Sequence, residues 1–118
     1  MTLDDYFTGY GNAKWLFDVL REHIRSLGPS EVQVSKTQIS FRRKRAFAWV
    51  WIPEKHLGRR MAPLVLNVSL PARDPSPSWK EIVEPHQGRF MHHLELYIPD
   101  EIDEEVCGWL LAAYAWAG

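Results

Sequence analysis

The 118-residue chain has a single cysteine, Cys107, which excludes an internal disulfide and stands apart from any metal-ligand spacing. No apolar run approaches the roughly 20 residues needed to span a bilayer. The opening Met1-Thr2-Leu3-Asp4-Asp5 lacks the cationic start and apolar stretch of a signal peptide, so a cytoplasmic protein without a membrane partner is the expectation. There is no glycine-rich phosphate loop, no nucleophile elbow, and no cysteine with a histidine nearby in sequence. Internal repeats and low-complexity tracts are missing too. These absences remove the common catalytic signatures, and nothing implies a cofactor. What remains is one domain over residues 1–118, long enough to bury about two-thirds of its unfolded surface.

Aromatic residues and an uneven charge distribution are what the chain does have. Six tryptophans are more than a chain of this length usually carries. The net charge of -1 conceals a basic middle: residues 36–72 hold eight Lys/Arg against Glu54 alone, whereas residues 73–118 hold three against nine acids. Two readings follow. Either the molecule is an electrical dipole that steers an anionic partner, or the charges compensate one another over an ordinary surface.

Thr2 and Asp5 have the spacing of a helix cap. From Asn12, the series Leu16, Leu20, Ile24 and Leu27 has helical period, and Gly28-Pro29 ends it. Val32–Val34, Gln38–Arg42, Ala46–Ile52, Leu64–Leu70 and Phe90–Ile98 read as strands, with a polar, basic connection over Glu54–Met61 and a turn-rich loop over Pro71–Pro77. Trp79–Val83 reads as a helical turn. A last helix opens at Pro99-Asp100, with Asp100 as its cap and Ile102, Val106, Trp109, Leu110 and Ala113 as its inner stripe. The expected fold is α+β: one antiparallel meander of about five strands, with the N-terminal and C-terminal helices packed on one face.

The segments Val34-Ser35-Lys36-Thr37-Gln38-Ile39-Ser40-Phe41, Arg45-Ala46-Phe47-Ala48-Trp49-Val50, Asp74-Pro75 and Phe90-Met91-His92-His93-Leu94-Glu95-Leu96 carry a resemblance. From about Leu16 to Tyr114 the chain resembles the bacterial family of domains of unknown function numbered 5655. The resemblance implies a small α/β domain, found alone or at the end of longer bacterial proteins, some linked to nucleic-acid defence. It implies no activity and no site residues. Lys36, Phe41, Phe47 and Asp74 sit where the family's pattern recurs.

The stretch Ser40–Ile52 is the richest candidate site, because four cations, Arg42 to Arg45, lead into Phe47, Trp49 and Trp51 in alternation. A four-residue loop Arg42–Arg45 would put Ile39, Phe41, Ala46, Ala48 and Val50 on one face, and Gln38, Ser40, Phe47, Trp49 and Trp51 on the other. A three-residue loop would instead set Ile39 and Phe41 among the aromatics. In the first register the aromatic row suits a ligand; in the second it is core. Arg42, Arg43 and Arg45, with Lys55, His56, Arg59 and Arg60 beyond, have the chemistry to pair with phosphate or another anion, and also the hydrophilicity that any hairpin tip needs.

Lys36 and Asp74 are the candidate polar pair for a catalytic cleft, with Asp74 equally suited to capping its own turn. His92 and His93 fall on opposite faces of a strand, which leaves too few ligands for a metal site: His92 is expected in the core and His93 towards solvent beside Glu95. The functional reading is a non-catalytic binding module that presents Phe47, Trp49 and Trp51, rimmed by Arg42, Arg43 and Arg45, to an anionic small molecule or protein. Two alternatives stand beside it: an enzyme using Lys36 and Asp74, and a nucleic-acid contact through the hairpin tip. A monomer and a homodimer are both compatible with the sequence.

Overall fold

The computed structural model describes residues 1–58 and 61–118. Arg59 and Arg60, candidates for an extended basic patch, lie outside the described residues.

Helix α1 (Leu3–Phe7) is short and is held by its cap: Asp5 N–H donates to Thr2 Oγ1, and Thr2 N–H donates back to the Asp5 carboxylate, both at 3.1 Å. Helix α2 (Gly11–Leu27) turns Leu16, Phe17, Leu20 and Ile24 inward. It stops at Gly28, whose φ of +140° is a conformation that side chains rarely adopt.

The strands are β1 (Glu31–Val34), β2 (Ile39–Arg42), β3 (Ala46–Trp51), β4 (Leu64–Leu70), β5 (Glu81–His86) and β6 (Arg89–Leu96). They form one antiparallel sheet of six strands in the order β1-β2-β3-β4-β6-β5. This corrects the sequence reading once. The five expected strands pair in meander order, with β6 beside β4, but residues 81–83, read as part of a helical turn, belong to a sixth strand, β5, added at the edge outside β6. The burial of the two strands accounts for the placement. β6 turns His92, Leu94 and Leu96 into the core, whereas β5 is almost wholly exposed and contains Pro85, which has no N–H for a second neighbour.

A short helix α3 (Pro53–Leu57) replaces the start of the expected irregular connection, with Pro53 at its first turn, where the missing N–H costs nothing. At the C-terminal end, Pro99–Glu101 forms a separate 3-10 turn, and Asp103 rather than Asp100 caps helix α4 (Glu104–Trp116) by accepting from Val106 N–H at 3.0 Å. Glu101 accepts from the N–H groups of Tyr97 and Ile98, which fixes the turn before the helix.

Helices α2 and α4 pack on each other and on one face of the sheet. The face beneath them is lined by Ile39, Phe41, Ala48, Val50, Leu64, Leu66, Val68, Leu94 and Leu96, all buried. Among the described residues no helix covers the opposite face, which is where partly exposed aromatics collect.

Candidate ligand site on the outer face of the sheet

The β2–β3 hairpin decides which side chains reach this outer face, and it follows neither simple register. Its loop has three residues: Arg42 pairs with Ala46, and Arg43 N–H donates to Arg45 O at 3.0 Å. A bulge at Phe47 then shifts the ladder, so that Phe41 faces Ala48, Ser40 faces Trp49 and Ile39 faces Val50. Trp49 and Trp51 therefore stand on the outer face, both half-buried. Phe47 leaves the row. It is 1% exposed, and its ring meets Tyr114 of α4 edge-on at 5.5 Å. The expected row of three aromatics is a pair, and the third is core.

Two of the expected rim cations are also engaged. Arg43 donates to Tyr114 O at 3.0 Å with its guanidinium 4.1 Å from that ring, and Arg45 donates to Trp116 O at 2.8 Å, 4.0 Å from the Trp116 ring. Lys44 N–H adds a bond to Ala117 O. The last turn of α4 has no basic residue of its own, and its free carbonyls carry the negative end of the helix dipole. The hairpin tip supplies the missing cations. Some 70 residues separate the partners, so no local pattern signals the contact.

Arg42 is different. Half-buried on the outer face, it forms no ion pair among the described residues. It lines a shallow groove of about 290 Å³ together with Gln33, Ser35, Gln38, Ser40 and Trp49. Lys36 is exposed in the turn that carries Ser35 and Gln38 at the groove's far end. Across the sheet, the register continues the row as Gln33, Ser40, Trp49, Asn67, His93 and Glu81. Asn67 Oδ1 is buried there without a hydrogen-bond partner among the described residues.

Asp74 is at the other end of the sheet, beside the β4–β6 pair, so the fold does not bring Lys36 and Asp74 into one cleft. Its carboxylate accepts from Trp79 Nε1–H at 3.0 Å and from Ser76 N–H at 3.1 Å. Burial pushes this carboxyl upward, but the donors outweigh it and hold its pKa below the usual value. Asp74 N–H in turn donates to His92 Nε2 at 3.0 Å, and His92 Nδ1 lies 3.1 Å from Phe90 O. One ring nitrogen must accept and the other donate, so His92 is neutral with its proton on Nδ1. Trp79 packs on His92 and on Trp109, with ring centroids 4.8 and 3.9 Å away. This cluster pins the Pro71–Pro77 loop to the core.

Burial lowers the pKa of His92, and also of His56 and His93. An unfolded histidine titrates near 6.5, so below that pH the unfolded chain binds protons that the folded chain refuses. Stability is expected to fall as pH drops from about 7 towards 5. A urea midpoint clearly lower at the acid end checks this; one that is unchanged or higher contradicts the buried neutral His92.

Two clusters escaped the sequence reading. The Tyr6 hydroxyl donates to Thr37 O at 2.9 Å, accepts from Ile52 N–H at 3.3 Å, and lies 3.0 Å from His56 Nε2, while Lys55 Nζ donates to Tyr6 O. It ties α1 to the β1–β2 turn and to α3. Cys107 Sγ lies 3.4 Å from His23 Nδ1, but burial, with Asp103 and Glu104 close by, pushes the thiol pKa up, the wrong direction for a nucleophile. Among the described residues no three His, Cys, Asp or Glu side chains converge as metal ligands would.

A family model described as Domain of unknown function (DUF5655) matches residues 3–117. No curated protein and no solved structure matches the chain.

Proposed function

We propose, for a chain that belongs to the DUF5655 family of domains of unknown function, that it is a non-catalytic module binding an anionic small molecule on the outer face of its sheet. One observation carries the reading: Arg42, with no ion-pair partner among the described residues, shares a groove with the half-buried Trp49 on the outer face. A guanidinium in that position can grip an anion through two parallel N–H donors. Phe47, Arg43 and Arg45 drop out of the site because the core and the end of α4 hold them. Trp51 extends the apolar floor beside Trp49, and Lys36 adds positive charge near the far end.

The separation of Lys36 from Asp74 and the raised thiol pKa of Cys107 favour binding over catalysis. The engagement of Arg43 and Arg45 weakens the case for a nucleic-acid contact at the hairpin tip.

Ribose 5-phosphate serves as the test anion, followed by the NMR shifts of the Trp49 indole N–H and the Gln33 and Gln38 amides. Saturable shifts at these groups are expected, with affinity reduced about tenfold or more in Arg42→Gln, since a charge-assisted pair is lost, and retained in Lys44→Gln. Shifts that map elsewhere, or that are indifferent to Arg42, would overturn the reading.

A further inference from the structure

The groove has more than a positive charge, and its other groups narrow what it holds. Trp49 and Ser40 are cross-strand partners, and Arg42 stands two residues from Ser40 on the same face. The three line one groove, so a ring on Trp49 and an anion on Arg42 can belong to one small ligand. The side chains of Gln33, Gln38 and Ser40 make no hydrogen bond among the described residues, so carboxamides and a hydroxyl lie ready beside the indole. Carboxamides both donate and accept, as the edge of a nitrogen heterocycle requires. A plain aromatic acid would cover these groups without answering them, and a sugar phosphate would leave the indole without a stacking partner.

We infer that the ligand is a free mononucleotide, its base stacked on Trp49, its edge read by Gln33, Gln38 and Ser40, and its phosphate held by Arg42. The inference rests on the anion-binding reading above and specifies the chemistry of that site. A free nucleotide fits better than a nucleic-acid strand because a phosphate backbone continuing across the row from Trp49 would meet Glu81, the cross-strand partner of His93, whereas Glu95 is already paired with Lys80 at 3.3 Å.

Adenosine 5′-monophosphate and ribose 5-phosphate, titrated side by side into the full chain, separate the possibilities. The nucleotide is expected to bind about tenfold or more tightly than the sugar phosphate, the gain coming from base stacking. Trp49→Leu should erase that preference while leaving ribose 5-phosphate affinity unchanged, and Arg42→Gln should weaken both. Gln33→Ala, an exposed change that leaves the fold alone, should weaken only the nucleotide, which keeps the test decisive if the Trp49 variant is unstable. Equal affinity for the two probes sinks the nucleotide assignment and leaves the anion site standing. Binding of neither sinks both. A ten-nucleotide single strand that binds more tightly than the mononucleotide, with affinity falling steeply with salt, overturns the free-nucleotide inference in favour of a strand.

Discussion

Alanine in place of Leu110 or Leu66 is expected to destabilise the domain by about 2–5 kcal/mol, the range for truncating a buried leucine in a core that relaxes only partly. Both side chains are 0% exposed. Leu66 stands on β4 between Val50 and Leu94, under the helical layer, and Leu110 is on the inner stripe of α4. The two variants therefore probe the same contact from its two sides. Urea unfolding with an unchanged slope measures the cost. A loss below about 0.5 kcal/mol at both positions would mean that α4 does not cover this face.

Gly28→Ala is expected to be as severe, for two separate reasons. With φ at +140°, a side chain at this position is strained before it touches anything. A Cβ there would also overlap the hydroxyl oxygen of Tyr114 and stand 3.2 Å from its Cζ. That hydroxyl is fixed, because it donates to Pro29 O at 2.9 Å. Strain and overlap each cost roughly 1–3 kcal/mol, so a total of about 2–6 is expected. Tyr114→Phe alone should cost about 1 kcal/mol for its hydrogen bond. In the double variant the overlap is relieved but the strain remains, so the combined loss should fall short of the sum by about 0.5–3 kcal/mol. Strict additivity would show that the tyrosine hydroxyl is not the obstacle.

Much of the fold was legible because hydrophobic period survives wherever one side of an element is buried. Leu16, Leu20 and Ile24 announced α2, and Leu64, Leu66, Val68 and Leu70 announced β4. β5 was missed because an edge strand buries little: Ile82 is its one residue that is not exposed. The cap of α4 was misplaced because Asp100 and Asp103 both precede acidic turns, and only the three-dimensional path shows that Pro99–Glu101 is a separate 3-10 turn.

The site was legible in its parts more than in its assembly. Trp49 and Trp51 do share the outer face with Ser40, as the four-residue loop would have it, while Arg42, read as a loop residue, joins them from the end of β2. The bulge that removes Phe47 leaves no mark in composition, since an extra residue in a strand looks like any other. The capture of Arg43 and Arg45 by α4 is a contact across some 70 residues, and a charge run says nothing about which of its members will find partners. The four-residue register does set Gln38 and Ser40 on the face of the tryptophans, whereas Gln33, on another strand, joins them only through the β1–β2 pairing that gathers all three around one indole.

The rims of the sheet bear on how the domain behaves in a crowded solution. On one side the outermost strand offers a second chain little to hydrogen-bond with: Pro85 has no donor, the ladder slips between Val83 and His86, and Glu81 and Glu84 repel a copy of themselves. On the other, β1 is four residues long and contains Glu31. Neither rim is a template on which identical chains can stack indefinitely. The domain can thus keep an uncovered face of tryptophans without seeding fibres through its edges.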